Sequence, residues 1–232
     1  MLDWLMAPLS GAAEHTIAPW ASWHARWMVL GWGLLLPAGA LVARYFKVTP
    51  SQRWPQELDN KAWWHAHRTL QWAGIAAMTI GVLLAWDQGQ RATAAATAHS
   101  WAGWGLALLG WLQIAAGLVR GSKGGPTDAV LRGDHYDMTP HRLRFERFHK
   151  GLGWLAMLAA VVVIALGLAV ADSPRWMPLL LCGWWVALAV LALRWQRQRR
   201  CVDTYQAIWG PDSAHPGNRL RPVGWGVHRP MD

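Results

Sequence analysis

The chain has 232 residues, 53% of them apolar and only 15% charged, with a net charge of +9 and 20 tryptophans; this balance excludes an ordinary water-soluble domain and points to a membrane. The mean hydropathy of +0.11 understates the case, because that scale scores tryptophan as mildly polar whereas the indole ring favours the bilayer interface. Two cysteines without a Cys-x-x-Cys-His sequence exclude a disulfide framework and a covalently attached c-type haem.

Residues 1–19 read as a short outer N-terminal segment. They lack the basic stretch and small-residue cleavage site of a secretory signal, so residues 1–23 are expected to stay in the mature protein. Five uncharged windows follow: Trp27 to Ala43, Thr69 to Trp86, Ala92 to Val119, Gly151 to Ala171 and Trp176 to Leu193, each at least 17 residues long. At a rise of about 1.5 Å per residue, each window with its flanking His, Trp and Arg residues crosses a hydrocarbon core roughly 30 Å thick once. The fold class is therefore an all-α integral membrane protein with five transmembrane helices. The membrane domain takes residues 20–196 and a cytoplasmic tail residues 197–232.

Five crossings put the termini on opposite sides. With the N-terminus outside, the outer ends carry only Arg26, Arg91 and Arg175, leaving 19 of the 22 Lys and Arg residues at or beyond inner ends. That is the positive-inside pattern of a plasma (inner) membrane protein. Arg194, Arg197, Arg199 and Arg200 read as an anchor for acidic headgroups rather than a nucleic-acid site. The inner loop Gly121 to Pro126 follows a membrane helix, lacks P-loop spacing and reads as a flexible turn. The tail beyond Cys201, with Pro211, Pro216, Pro222 and Pro230, is expected to be mostly irregular chain.

Polar groups within a bilayer are expensive, so histidines at span ends carry a functional prior. Four qualify, and alternating helix direction sorts them by depth: His24 with His99 at the outer side, His67 with His149 at the inner side. Two imidazoles facing each other from separate helices suit the two axial positions of a haem iron. A structural zinc ion needs four ligands, and the windows hold no Asp or Glu to complete a set. The missing acids also argue against a proton or ion pump. A porphyrin needs flat space on the ligand's helix face, four or seven residues on. Gly31 follows His24 by seven, Gly74 follows His67 by seven, Gly103 follows His99 by four and Gly153 follows His149 by four; the competing role for such glycines is close helix packing.

His65, two positions from His67 and so on another face, reads as a headgroup-level residue, and His15, His135, His141, His215 and His228 read as surface residues in aqueous segments. Gln71 and Gln113 share faces with His67 and His99, either as polar glue between helices or as hydrogen-bond partners of a ligand or cofactor. Pro37 frees the carbonyl of Gly33 and is expected to bend the first helix.

Taken in order, His24, Trp32-Gly33, Pro37, Gly39 and Ala43-Arg44-Tyr45, then Trp63, His67 and Gln71, then His99, Gly103 and Gln113, then His149 and Gly153 resemble the cytochrome b561 superfamily. The likeness covers roughly residues 24–170 and is to the modules that follow an extracellular DOMON domain. The resemblance implies a four-helix haem-binding core with two non-covalent haems b, ligated by helices 1 and 3 and by helices 2 and 4. It also implies transmembrane electron transfer, in related members from cytoplasmic ascorbate to an outer acceptor such as ferric iron. Here a short N-terminal stretch stands where those proteins carry DOMON, which leaves the outer redox partner open.

The expected partners are the lipid bilayer, a cytoplasmic-side donor and an outer-side acceptor, or the reverse, with no nucleic acid. Ligands about a turn from each interface put the irons roughly 20 Å apart along the membrane normal. Arg68, Arg120, Arg147 and Lys150 at the inner side, and Arg26, Arg91 and Arg175 at the outer, are candidate partners of haem propionates or simply topology determinants. A transmembrane reductase, ferric or other, is the first reading. A quinol-oxidising cytochrome subunit of a dehydrogenase and a haem-free scaffold or transporter are the alternatives. The fifth helix carries no ligand, leaving packing beside the core or homodimer formation as its role.

Overall fold

The computed structural model describes residues 1–13, 15–88 and 93–230. It contains five long helices, α1 (Pro19–Tyr45), α2 (Ala62–Ala85), α3 (Ala94–Leu118), α4 (Pro140–Val170) and α5 (Trp176–Arg197), all long and apolar enough to cross a membrane. Among the described residues the only extended pairing is two isolated bridges, Pro8 with Pro174 and Val202 with His228. The protein is an all-α integral membrane protein. Arg91 and Ala92, at the expected start of the third span, lie outside the described residues.

α1, α2, α4 and α5 run past their uncharged windows at one end or both, whereas α3 keeps within its own. α4 starts at Pro140, and the one acid of its charged first turns ties two of their four cations: Glu146 accepts from Arg142 at 3.0 Å and from Lys150 at 2.7 Å, both at helical i,i+4 spacing. α1 is interrupted by a π-helical stretch, Val29–Leu35, between α-helical Pro19–Met28 and Leu36–Tyr45. Pro37 has no N–H to give the Gly33 carbonyl. That carbonyl instead accepts from the Trp184 indole of α5 at 2.8 Å.

The chain divides into two compact units, and each long helix gives one segment to each. The first comprises Met1–Pro37, Gln71–Trp111 and Leu155–Leu191. Its core is built on small residues: Gly31 lies against the Gly74 carbonyl, and Gly110 against Ile75, Met78 and Trp32. The absence of a Cβ there lets helix backbones approach closely. The N-terminal segment is tied to the α4–α5 turn through Asp172, which accepts from the Ser10 amide at 2.7 Å and hydroxyl at 2.6 Å.

The second unit comprises Ala38–Leu70, Leu112–Trp154 and Ala192–Asp232. The tail is mostly irregular, as expected, but it is packed rather than free. Cys201–Val202 and Tyr205–Gly210 are buried, and a short helix, Thr204–Trp209, capped by Asp203, carries Tyr205, Ile208 and Trp209 into a cluster with Met138, Trp63, Tyr136 and Leu143. The spacing of those three residues makes one apolar helix face. It is far too short to register as a span, and the prolines lie beyond it. His135, expected at the surface, is 1% exposed. Its Nδ1 accepts from the Trp209 indole at 3.3 Å, and its Nε2 lies 3.7 Å from Glu146. Burial and the nearby Arg142 guanidinium push the imidazole down to about 3, so it is neutral in the folded protein.

Candidate functional site

In the first unit His24 of α1 meets His99 of α3, with ring centres 6.2 Å apart and planes at 88°. His24 Nδ1 lies 2.8 Å from the Gly81 carbonyl and His99 Nδ1 3.2 Å from that of Val163. A carbonyl only accepts, so Nδ1 carries the proton in each ring and Nε2 keeps its lone pair for a metal. Gly167 of α4 makes room for this arrangement, since a Cβ there would stand 2.7 Å from Cε1 of His99.

In the second unit His67 of α2 meets His149 of α4, with ring centres 6.4 Å apart and planes at 85°. His67 Nδ1 bonds the Gly39 carbonyl at 3.0 Å. His149 Nδ1 is buried without a hydrogen-bond partner. Its ring instead stacks on Phe145, 5.2 Å between centres and 26° between planes.

Both pairs fit a bis-imidazole iron. Two metal–nitrogen bonds of about 2 Å, with roughly 1.2 Å from each nitrogen to its ring centre, require centres about 6.4 Å apart. Among the described residues no three His, Cys, Asp or Glu side chains converge. The donor sets are thus pairs of nitrogens, which suits a macrocycle that supplies its own four equatorial ligands.

Residues 23–173, from α1 to the end of α4, match the family described as "Eukaryotic cytochrome b561". The chain belongs to the cytochrome b561 family. It is 27% identical over 150 residues to a cytochrome b561 and DOMON domain-containing protein of Arabidopsis thaliana, and 28% identical over 159 residues to a cytochrome b561, DM13 and DOMON domain-containing protein of the same plant. These matches take in 65% and 68% of this chain but only 32% and 16% of the two relatives. No solved structure matches it. Membership links the chain to electron-transfer proteins that carry haem b.

The structure separates the four glycines singled out by sequence. Gly103 faces open space, and a Cβ on Gly153 would find only Gln113 Oε1, at 4.0 Å. Both leave room beside a candidate ligand. Gly31 and Gly74 do not: a Cβ on Gly31 would be 2.8 Å from the Gly74 carbonyl, and one on Gly74 2.7 Å from Leu36. These two serve the close approach of α1 and α2, because seven residues from the ligand is already a different contact layer. Sequence reasoning missed the roles of Gly81 and Gly167 and the anchoring carbonyls of Gly39 and Val163. Their partners lie on other helices, and no spacing within one helix reports them.

Gln71 donates to the Leu36 carbonyl at 3.0 Å, the glue role, whereas Gln113 Nε2 is buried without a partner. His65 is exposed. His15 and His141 bond the carbonyls of Ala171 and Val119, each at 2.8 Å, and His215 bonds the Tyr136 hydroxyl at 3.2 Å. Of the candidate cations, Arg120 and Arg68 flank the Trp64 ring at 4.0 and 5.7 Å, and that ring lies 6.1 Å from His67. Lys150 is already engaged by Glu146 and, at 2.8 Å, by the Val223 carbonyl. Arg26 and Arg175 lie over Trp23 and Trp4, Arg147 is exposed, and Arg91 is outside the described residues. Lys47, 6% exposed, was not singled out by sequence. It bonds the carbonyls of Val202 and Arg44 at 3.1 and 3.4 Å, and burial together with Lys150 lowers it to about 8.

Proposed function

We propose that this cytochrome carries electrons across the membrane through two non-covalent haems b, one held by His24 and His99 and the other by His67 and His149. The observation that supports the reading is the repeated pair of near-perpendicular imidazoles at iron-ligand separation, 6.2 and 6.4 Å. Three of the four rings are held by a carbonyl in the tautomer that offers Nε2. When bound, the haem supplies reversible one-electron chemistry at iron. The chain's part is to hold the rings in fixed orientation, keep them neutral and exclude water with the apolar faces of α1 to α4. Gly103 and Gly153 leave space beside two of the ligands, and Arg68 and Arg120 near Trp64 offer charge to propionates.

The basic residues favour an outer N-terminus and a cytoplasmic C-terminus in a plasma (inner) membrane, with residues 20–196 as the membrane cytochrome and 197–232 on the cytoplasmic face. A cytoplasmic donor then reduces one site and an outer acceptor oxidises the other, the activity of a transmembrane reductase. The test is a reduced-minus-oxidised spectrum with haem quantification on wild type, His67→Ala and His99→Ala. About two haems b per chain, each variant losing a different one, supports the reading. A colourless protein, or one haem untouched by either change, overturns it.

A further inference from the structure

Beyond the family-matched region, the tail carries a strap whose tip is Trp225. Three side chains from three spanning helices hold it by its backbone: Lys150 donates to the Val223 carbonyl at 2.8 Å, Arg44 to that of Trp225 at 2.8 Å, and Gln196 to that of Gly226 at 2.7 Å. Glycines at positive φ, Gly224 at 122° and Gly226 at 64°, flank the tip and throw the indole outward. The ring is 81% exposed. An indole displayed on a pinned turn loses the favourable burial it would gain elsewhere unless something outside the chain meets it.

Its neighbours say where it stands. Arg44 lies in the last turn of α1, at the end of a spanning segment. Its guanidinium sits 5.7 Å from the Trp225 ring, 5.6 Å from Trp154 and 5.4 Å from Tyr45. Trp154, on spanning helix α4, is itself 43% exposed. A cation among three aromatic rings at the end of a span is the composition of the membrane–water boundary. The strap leading to the tip carries Arg219 and Arg221, both exposed, and the Arg197–Arg200 run ends α5 nearby in sequence. Of the tail's acids, Asp203 is already paired with Arg229 at 2.9 Å.

We propose that the Leu220–Gly226 strap docks back onto the bilayer, with Trp225 seated in a headgroup layer of acidic phospholipid and the arginines around it matching the lipid charge. The lipid then holds closed a segment that also engages Lys150, the neighbour of His149. Amide hydrogen exchange of residues 219–227 in nanodiscs tests this without reference to haem. In equal mixtures of phosphatidylcholine and phosphatidylglycerol the strap should exchange about tenfold more slowly than in phosphatidylcholine alone, with the difference shrinking in high salt. Trp225→Ser should remove that protection while Cys201–Gly210 stays protected, which shows that the fold persists. Equal exchange in the two lipids, or protection unchanged by Trp225→Ser, overturns the proposal and leaves the tip for an aqueous protein partner.

Discussion

The two histidine pairs look alike in separation and differ in how they are held. In the first unit both imidazoles are tied through Nδ1 to a backbone carbonyl, and Gly167 gives His99 its seat. In the second, His67 is tied and His149 is not; the His149 ring rests on Phe145, and four cations, Lys47, Arg120, Arg142 and Lys150, against one carboxylate, Glu146, are close enough to act on the pair. No fixed charge acts comparably on His24 or His99 among the described residues. On the proposed reading, backbone anchoring would make an imidazole a stronger donor to iron, and nearby cations would disfavour the ferric state. The same donor set would then be tuned in one place by main-chain hydrogen bonds and in the other by charge.

Breaking the first pair alone gives the largest expected effect. Gly167→Val drives a side chain into the His99 ring, so the spectral component lost in His99→Ala should vanish while the other remains, about half the haem in all. Acid should break the second region selectively. His135 is neutral when folded because its value is lowered to about 3, whereas the unfolded chain takes up a proton below about 6.5. The stability it supplies is complete above about pH 6.5 and drains away as the pH falls toward 3, amounting to about 2 kcal/mol by pH 5. Thermal unfolding at about pH 7.5 and pH 5 should show this drop, and His135→Gln should flatten it.

A potentiometric titration sharpens the contrast. The haem kept in His99→Ala should have a midpoint higher than the one kept in His67→Ala by on the order of 60 mV, a tenfold change in a one-electron equilibrium. A reversed order would mean that anchoring and cations do not govern the difference. The smallest effect is expected for Trp184→Phe, which removes the donor to the Gly33 carbonyl: a loss of about 1 kcal/mol in thermal stability, with both spectral components retained.

The spans, the family and the pairing of His24 with His99 and His67 with His149 were legible because each depends on spacing along one helix and on alternating direction. What escaped depends on contacts between segments far apart in sequence. Gly31 and Gly74 have the same spacing from a ligand as a cofactor gap would need, yet they touch each other. The carbonyls that anchor three candidate ligands carry no side-chain signature at all. His135 sits in a polar stretch, and only the arrival of Trp209 and Tyr205 from the tail turns its surroundings apolar. In the tail the four prolines correctly mark mostly irregular chain, whereas the packing of six residues, Thr204–Trp209, escaped because a helix that short has no span-like signal.

The bond from Trp184 to the Gly33 carbonyl also bears on how the protein is made. Synthesis delivers α1 before α5, and the acceptor left open by Pro37 has no water to turn to once α1 is in hydrocarbon. Until the fifth span arrives, the nascent chain holds an unfinished first helix. A ribosome product ending before residue 184 is therefore expected to be a poor substrate for assembly even though every candidate ligand is already present, because the fifth span completes the first.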